Sequence, residues 1–205
     1  MPDDRASHKP ARPGRPAYLM PALLVVWMLG VGGVMGGCQT LQFYRQTTHP
    51  SLDLDAHISP ELRAHVEAQQ TARIEALSAH QSRMIPLAAA NVLLSGLLIV
   101  ACARALSGRP SAHNLALQAI GANIAYAVVD YVVSAPVRYA LIHAGAQHPP
   151  ATMPPIPEAQ VAAMYAWFFR LALFGQLAVL AITAFALTRP RVLAWYRADE
   201  PEEDS

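Results

Sequence analysis

The stretch IPLAAANVLLSGLLIVACARAL, residues 85–106, contains a single charged residue, Arg104. A helix needs about 20 consecutive apolar residues to cross the hydrocarbon core of a bilayer. Pro86 stands in the first turn of the stretch, where a missing backbone N–H is tolerated. The stretch therefore predicts a transmembrane helix and sets the class of the protein.

Three further apolar stretches repeat this pattern, over residues 17–44, 115–143 and 160–188. Tyr18 and Tyr44 stand at the two ends of the first stretch, as expected for interfacial aromatic residues. Hydrophobic residues make up 54% of the chain and charged residues only 14%, against about 25% charged in soluble domains. The sequence predicts an all-α membrane protein, a four-transmembrane-helix bundle whose main partner is the lipid bilayer.

The segments outside the spans are polar or rich in proline. We expect one extracytoplasmic amphipathic helix over residues 60–83, because Ser59 is a good N-cap and Pro60 fits the first helical position. The remaining segments are predicted as a disordered tail over 1–16, an outer segment over 45–84 that holds this helix, a loop over 107–114, a proline-rich loop over 144–159 and a tail over 189–205.

Lysine and arginine near the span ends predict the orientation, since these residues are enriched on the cytoplasmic side. Four lie in the tail over 1–16, three in the tail over 189–205, and two, Arg104 and Arg109, close to the turn between the second and third spans. These nine compare with four in the long segment between the first two spans. We therefore expect both termini to be cytoplasmic, with the protein in the inner membrane. The net charge of +1 gives no reason to expect nucleic-acid binding.

An alternative interpretation concerns the first span. Met35, Gly36 and Gly37 precede Cys38 after a basic start and an apolar stretch, and this pattern is similar to a lipoprotein signal. Cleavage there would leave a lipidated Cys38 and only three spans. The apolar stretch is longer than the usual 7–15 residues, so we favour an intact first span.

Glycine in the first span predicts close helix packing. Gly32 and Gly36 form one small-xxx-small motif, and Gly33 and Gly37 form an overlapping second one. Such residues let helix backbones approach in lipid, where little hydrophobic force drives association. The packing partner is either another span or a second copy in a homo-oligomer.

Two ionisable residues, Asp130 and Arg170, fall inside predicted spans, and such residues are the best indicators of function in a membrane protein. The third and fourth spans are joined by a short loop and run in opposite directions, so both residues are expected in the outer third. We predict that they form an ion pair. Each costs roughly 2.5 to 3.5 kcal/mol to insert, which the surrounding apolar residues offset.

Other polar residues share helix faces with this predicted pair. Asn123, Asp130, Ser134 and Arg138 recur at helical spacing, and Arg138 is the rival partner for Asp130 although it lies about 12 Å along the helix. Asn91 in the second span is also expected in the outer third. Isolated polar residues in spans most often join helices by hydrogen bonds, and we weigh that role above a transport site.

Catalytic and metal-binding motifs are absent from the sequence. The eight histidines form no HxH or HxxxH pair, and no nucleophile or nucleotide-binding motif occurs, so we expect no metal, no cofactor and no enzymatic activity. The first hypothesis is a non-enzymatic scaffold or accessory protein, and the second is a small transporter or channel subunit. An outer-face metal sensor or membrane enzyme ranks last. A cavity that reaches Asp130 would favour transport, and a dry Asp130–Arg170 pair would favour a scaffold.

Overall fold

The computed structural model describes residues 14–46, 60–147 and 157–198. These ranges contain seven helices and no strand. The helices are α1 (Leu19–Gln46), α2 (Pro60–Ser78), α3 (Gln81–Leu106), α4 (Pro110–Val133), α5 (Ala135–Gln147), α6 (Glu158–Leu187) and α7 (Pro190–Arg197).

Four of these helices, α1, α3, α4 and α6, are long and apolar enough to span a membrane, which confirms the predicted class. Helix α1 packs on α3, α3 on α4, α4 on α6, and α6 on α1. Helix α6 is the least buried of the four, and large apolar side chains along it, such as Trp167 and Phe174, are exposed as expected for lipid contact.

Two short connections each end at a proline that opens the next helix. Gly108, with a φ of 78°, adopts the left-handed conformation just after α3, and Pro110 then opens α4 at its first position. After α6, Pro190 opens α7 in the same way, behind an extended Arg189. These turns hold α4 directly beside α3 and direct α7 back onto the end of the four long helices.

The third predicted helix, over 115–143, is divided in the structure. It begins earlier, at Pro110, and is interrupted at Ser134 before continuing as α5. Pro136 explains the interruption, because it cannot donate a backbone hydrogen bond to the preceding turn and its ring crowds that turn. The Ser134 hydroxyl also donates a hydrogen bond to the carbonyl of Asp130, an arrangement that often bends a helix.

The amphipathic helix predicted over 60–83 ends five residues earlier, at Ser78, and α3 begins at Gln81 instead of residue 85. A turn at Ala79 and His80 separates the two helices. Helix α2 packs against α5, and its Leu77 carbonyl accepts a hydrogen bond of 3.4 Å from the hydroxyl of Tyr44. Apolar residues are more clearly confined to one face in α7 than in α2.

Candidate functional site: a cavity among the long helices

The four long helices are packed differently at their two ends. At the end that carries α7, apolar side chains such as Leu23, Leu98, Ile120 and Leu187 form a continuous buried core. At the end that carries α2 and α5, the helices line an open cavity of about 970 Å³. Among the described residues, this cavity therefore lies in the half of the structure that carries α2 and α5.

The cavity combines apolar walls with polar side chains from different helices. The apolar residues that line it include Leu29, Leu87 and Phe169 of the long helices and Leu77 of α2. Its polar lining residues are Gln39, Thr40, Tyr44, Asn91, Tyr126, Asp130, Tyr131, Ser134, Arg138 and Gln176. This mixture of apolar walls with a few polar groups is typical of small-molecule sites.

The Arg138 guanidinium is held by residues of the turn that precedes it. It donates hydrogen bonds to the Ser134 hydroxyl and to the Tyr131 carbonyl. Its central carbon also lies 4.3 Å from the centre of the Tyr131 ring and 5.5 Å from that of Phe169, distances that allow cation–π attraction. The half-buried guanidinium is thus fixed at the cavity wall.

Asp130 lies beside Tyr126 and within the electrostatic influence of Arg138. The Tyr126 hydroxyl donates a hydrogen bond of 3.0 Å to the Leu87 carbonyl, which ties α4 to α3 next to the carboxylate. Within the described ranges, the Asp130 carboxylate and the Arg138 guanidinium face the same cavity without forming a direct ion pair.

The predicted ion pair between Asp130 and Arg170 is not present among the described residues. Arg170 is exposed on α6 and lies outside the cavity lining, whereas its neighbour Phe169 faces the cavity. The reason is helical geometry, since successive residues point about 100° apart and only one of the two can face Asp130. The rival partner, Arg138, is nearer because its side chain extends back toward the start of its helix.

Asn91 joins two of the long helices. Its side-chain amide donates a hydrogen bond of 3.1 Å to the Gly33 carbonyl of α1, and its side-chain oxygen accepts one of 3.1 Å from Ser95. Asn123 does the same between α4 and α3, donating to the Leu94 carbonyl, but it is buried and outside the cavity lining. Asn123 therefore joins helices, and Asn91 both joins helices and faces the cavity.

The two predicted glycine motifs differ in how closely other helices pack against them. A methyl group added at Gly33 would lie 2.1 Å from the Ser95 hydroxyl oxygen, and one at Gly37 would lie 2.7 Å from a Val92 methyl carbon. These two glycines allow the close contact of α1 with α3. A methyl group at Gly32 or Gly36 would meet nothing within 4 Å. Gly32 and Gly36 also line the cavity, and their missing side chains leave that space open.

Helix α7 closes the packed end through contacts that the sequence interpretation missed. The Tyr196 hydroxyl donates a buried hydrogen bond of 2.8 Å to the Ala105 carbonyl of α3. The ring of His113 on α4 lies 5.3 Å from that of Tyr196, and its Nε2–H donates a hydrogen bond of 3.1 Å to the Leu187 carbonyl of α6. Burial raises the pKa of Tyr196 to about 12, with a smaller opposing effect of Arg15. The arginine-rich, aromatic composition of residues 189–197 was the available signal.

The remaining predictions concern cysteine and metal sites. Cys38 lies within α1 with an exposed side chain, and Cys102 is buried in the packed end. The intact first span, without cleavage before Cys38, stays a prediction. In the described ranges no three His, Cys, Asp or Glu residues converge on a common point, while His49, His57 and His148 lie outside those ranges.

Comparison with protein-family models, with curated proteins and with solved structures finds no match to this chain.

Proposed function

We propose that the protein binds a small molecule within the membrane, in the cavity beside Asp130, as a small transporter or as a subunit of one. The observation that carries this proposal is the cavity itself. A scaffold would favour a packed interior with its charges paired, whereas here two opposite charges line an open space.

The asymmetry of the structure supports a binding site rather than an open pore. The half near α7 is filled by buried apolar side chains, so the cavity does not continue through it as an open path. With both termini in the cytoplasm of an inner-membrane protein, as the arginine distribution favours, the cavity would accept its ligand from the outer side. Movement of the ligand further would then require a second conformation.

Cysteine accessibility tests this proposal, because α4 offers two matched alanines. Ala127 lines the cavity, and Ala119, two turns away, lies in the packed core. Each alanine is replaced by cysteine in a chain that carries Cys38→Ser and Cys102→Ala. The variants are then treated in membrane vesicles with a charged, water-soluble thiol reagent.

We expect rapid labelling of Ala127→Cys and protection of Ala119→Cys. Gly36→Leu should suppress the labelling of Ala127→Cys by filling the cavity, since Gly36 lines it and an added Cβ atom there would meet nothing within 4 Å. Gly175→Leu is the control, because Gly175 is equally open but outside the cavity. Equal protection of the two cysteines would overturn the proposal.

A further inference from the structure

The cavity holds one carboxylate and one guanidinium that are near each other but not in contact. Asp130 on α4 and Arg138 on α5 both line it, and each is half-buried. Asp130 lies within the apolar helix α4, where an unpaired charge is costly and usually has a direct partner. Among the described residues these two do not pair, so each retains capacity for another partner.

The hydrogen-bonding capacity of both groups also leaves room for another partner. A guanidinium carries five N–H donors, and two of those of Arg138 are directed to Ser134 and Tyr131. A carboxylate accepts several hydrogen bonds, and the single hydroxyl of Tyr126, which lies within hydrogen-bonding reach of both Asp130 and the Leu87 carbonyl, uses at most one of these positions. The site therefore offers donors at Arg138 and acceptors at Asp130.

The apolar part of the cavity indicates the rest of the ligand. Along α1 the lining runs from Met28 to Tyr44, a rise of about 24 Å at 1.5 Å per residue. Aliphatic and aromatic side chains, including Leu173 and Phe169, form most of the remaining wall. A long space of this kind fits a molecule with an extended apolar portion better than a compact polar solute.

We propose that the cavity binds a zwitterionic amphiphile, whose ammonium group contacts the Asp130 carboxylate while its phosphate or carboxylate group contacts the Arg138 guanidinium. This inference rests on the proposed function, and it adds the chemical class of the ligand. A purely anionic amphiphile would be attracted by Arg138 but repelled by Asp130. A purely cationic one would be attracted by Asp130 but repelled by Arg138.

Native mass spectrometry of the full chain in a maltoside detergent tests the inference with defined probes. The probes are palmitoyl lysophosphatidylethanolamine, which is zwitterionic, and palmitoyl lysophosphatidylglycerol, which is anionic with the same acyl chain. Phosphoethanolamine, the zwitterionic headgroup without a chain, distinguishes an amphiphile from a soluble ligand. We expect the zwitterionic lysolipid to bind at least several-fold more tightly than either of the others.

Asp130→Asn should weaken binding of the zwitterionic lysolipid on the order of tenfold, the effect expected for loss of one charged hydrogen bond. It should also shift the preference toward the anionic lysolipid, because Arg138 remains. Arg170→Gln is the matched control, since it removes an exposed charge outside the cavity, and it should leave both affinities unchanged. Gly36→Leu should reduce binding of both lysolipids.

Equal binding of the two lysolipids by the unaltered chain, or an unchanged preference in Asp130→Asn, would overturn the inference. Equally tight binding of phosphoethanolamine would overturn the claim that the ligand carries an apolar chain. The cysteine-accessibility experiment contains no lysolipid, so it decides the proposed function independently of these results.

Discussion

The side-chain amide of Asn91 donates a hydrogen bond of 3.1 Å to the backbone carbonyl of Gly33. The bond joins α3 to α1 beside the cavity, since Asn91 and Gly33 both line it. It depends on the absence of a side chain at Gly33, where a Cβ atom would lie 3.2 Å from the Asn91 oxygen and 2.9 Å from the Ser95 Cβ. The contact between the two helices is therefore sensitive to a single added methyl group.

Gly33→Ala should destabilise the protein, because α1 and α3 must separate to accommodate the methyl group. We expect a loss of about 1 to 3 kcal/mol in the free energy of unfolding, the usual range for overpacking. Gly32→Ala is the control on the same helix, since its methyl group would meet nothing within 4 Å. Thermal unfolding in a mild detergent measures both variants. Equal melting temperatures for Gly33→Ala and Gly32→Ala would contradict the packing described for α1.

A double-mutant cycle should couple Asp130 to Arg138 but not to Arg170. Arg138 exerts an electrostatic effect on Asp130, whereas Arg170 is exposed on α6. For Asp130→Asn combined with Arg138→Gln we expect a coupling energy of at least about 0.5 kcal/mol in unfolding, and for Asp130→Asn with Arg170→Gln additivity within about 0.5 kcal/mol. Reversible unfolding in mixed micelles gives these energies. Coupling confined to the Arg170 pair would restore the ion pair predicted from sequence.

Contact of α7 with the long helices should weaken at high pH. Burial raises the pKa of Tyr196 from 10.0 to about 12, because the phenolate is disfavoured in a buried site. The stabilising contribution of neutral Tyr196 is thus fully present below pH 10 and is lost as the pH rises toward 12. Hydrogen exchange of the α7 amides, corrected for the intrinsic effect of pH, should report this loosening.

Tyr196→Phe should remove the pH-dependent step and lower the protection of α7 at neutral pH as well, since the bond to Ala105 is lost. Tyr139→Phe is the control, because Tyr139 is 70% exposed on α5. Loosening of α7 over the same pH range in Tyr196→Phe as in the unaltered chain would show that another group is responsible.

The sequence predicted which polar residues share a helix face, but it did not predict which residues of other helices they meet. Asp130, Ser134 and Arg138 were predicted on one helix face, and the cavity brings all three together. The direction of Arg170 could not be predicted, because the sequence does not fix how far α6 is rotated about its own axis. The importance of Tyr126 was accessible in principle, since it lies four residues before Asp130 on the same face.

That four helices are long and apolar enough to cross a membrane follows from the order of residues alone, because it depends on local composition and on the fixed rise of a helix. The sequence also located the two glycine motifs. The packing of the folded chain was needed to show that Gly33 and Gly37 contact α3 while Gly32 and Gly36 leave open space, and that Asp130 shares the cavity with Arg138 and not with Arg170. Those outcomes depend on the rotation and separation of whole helices, which are set by contacts between residues far apart in the chain.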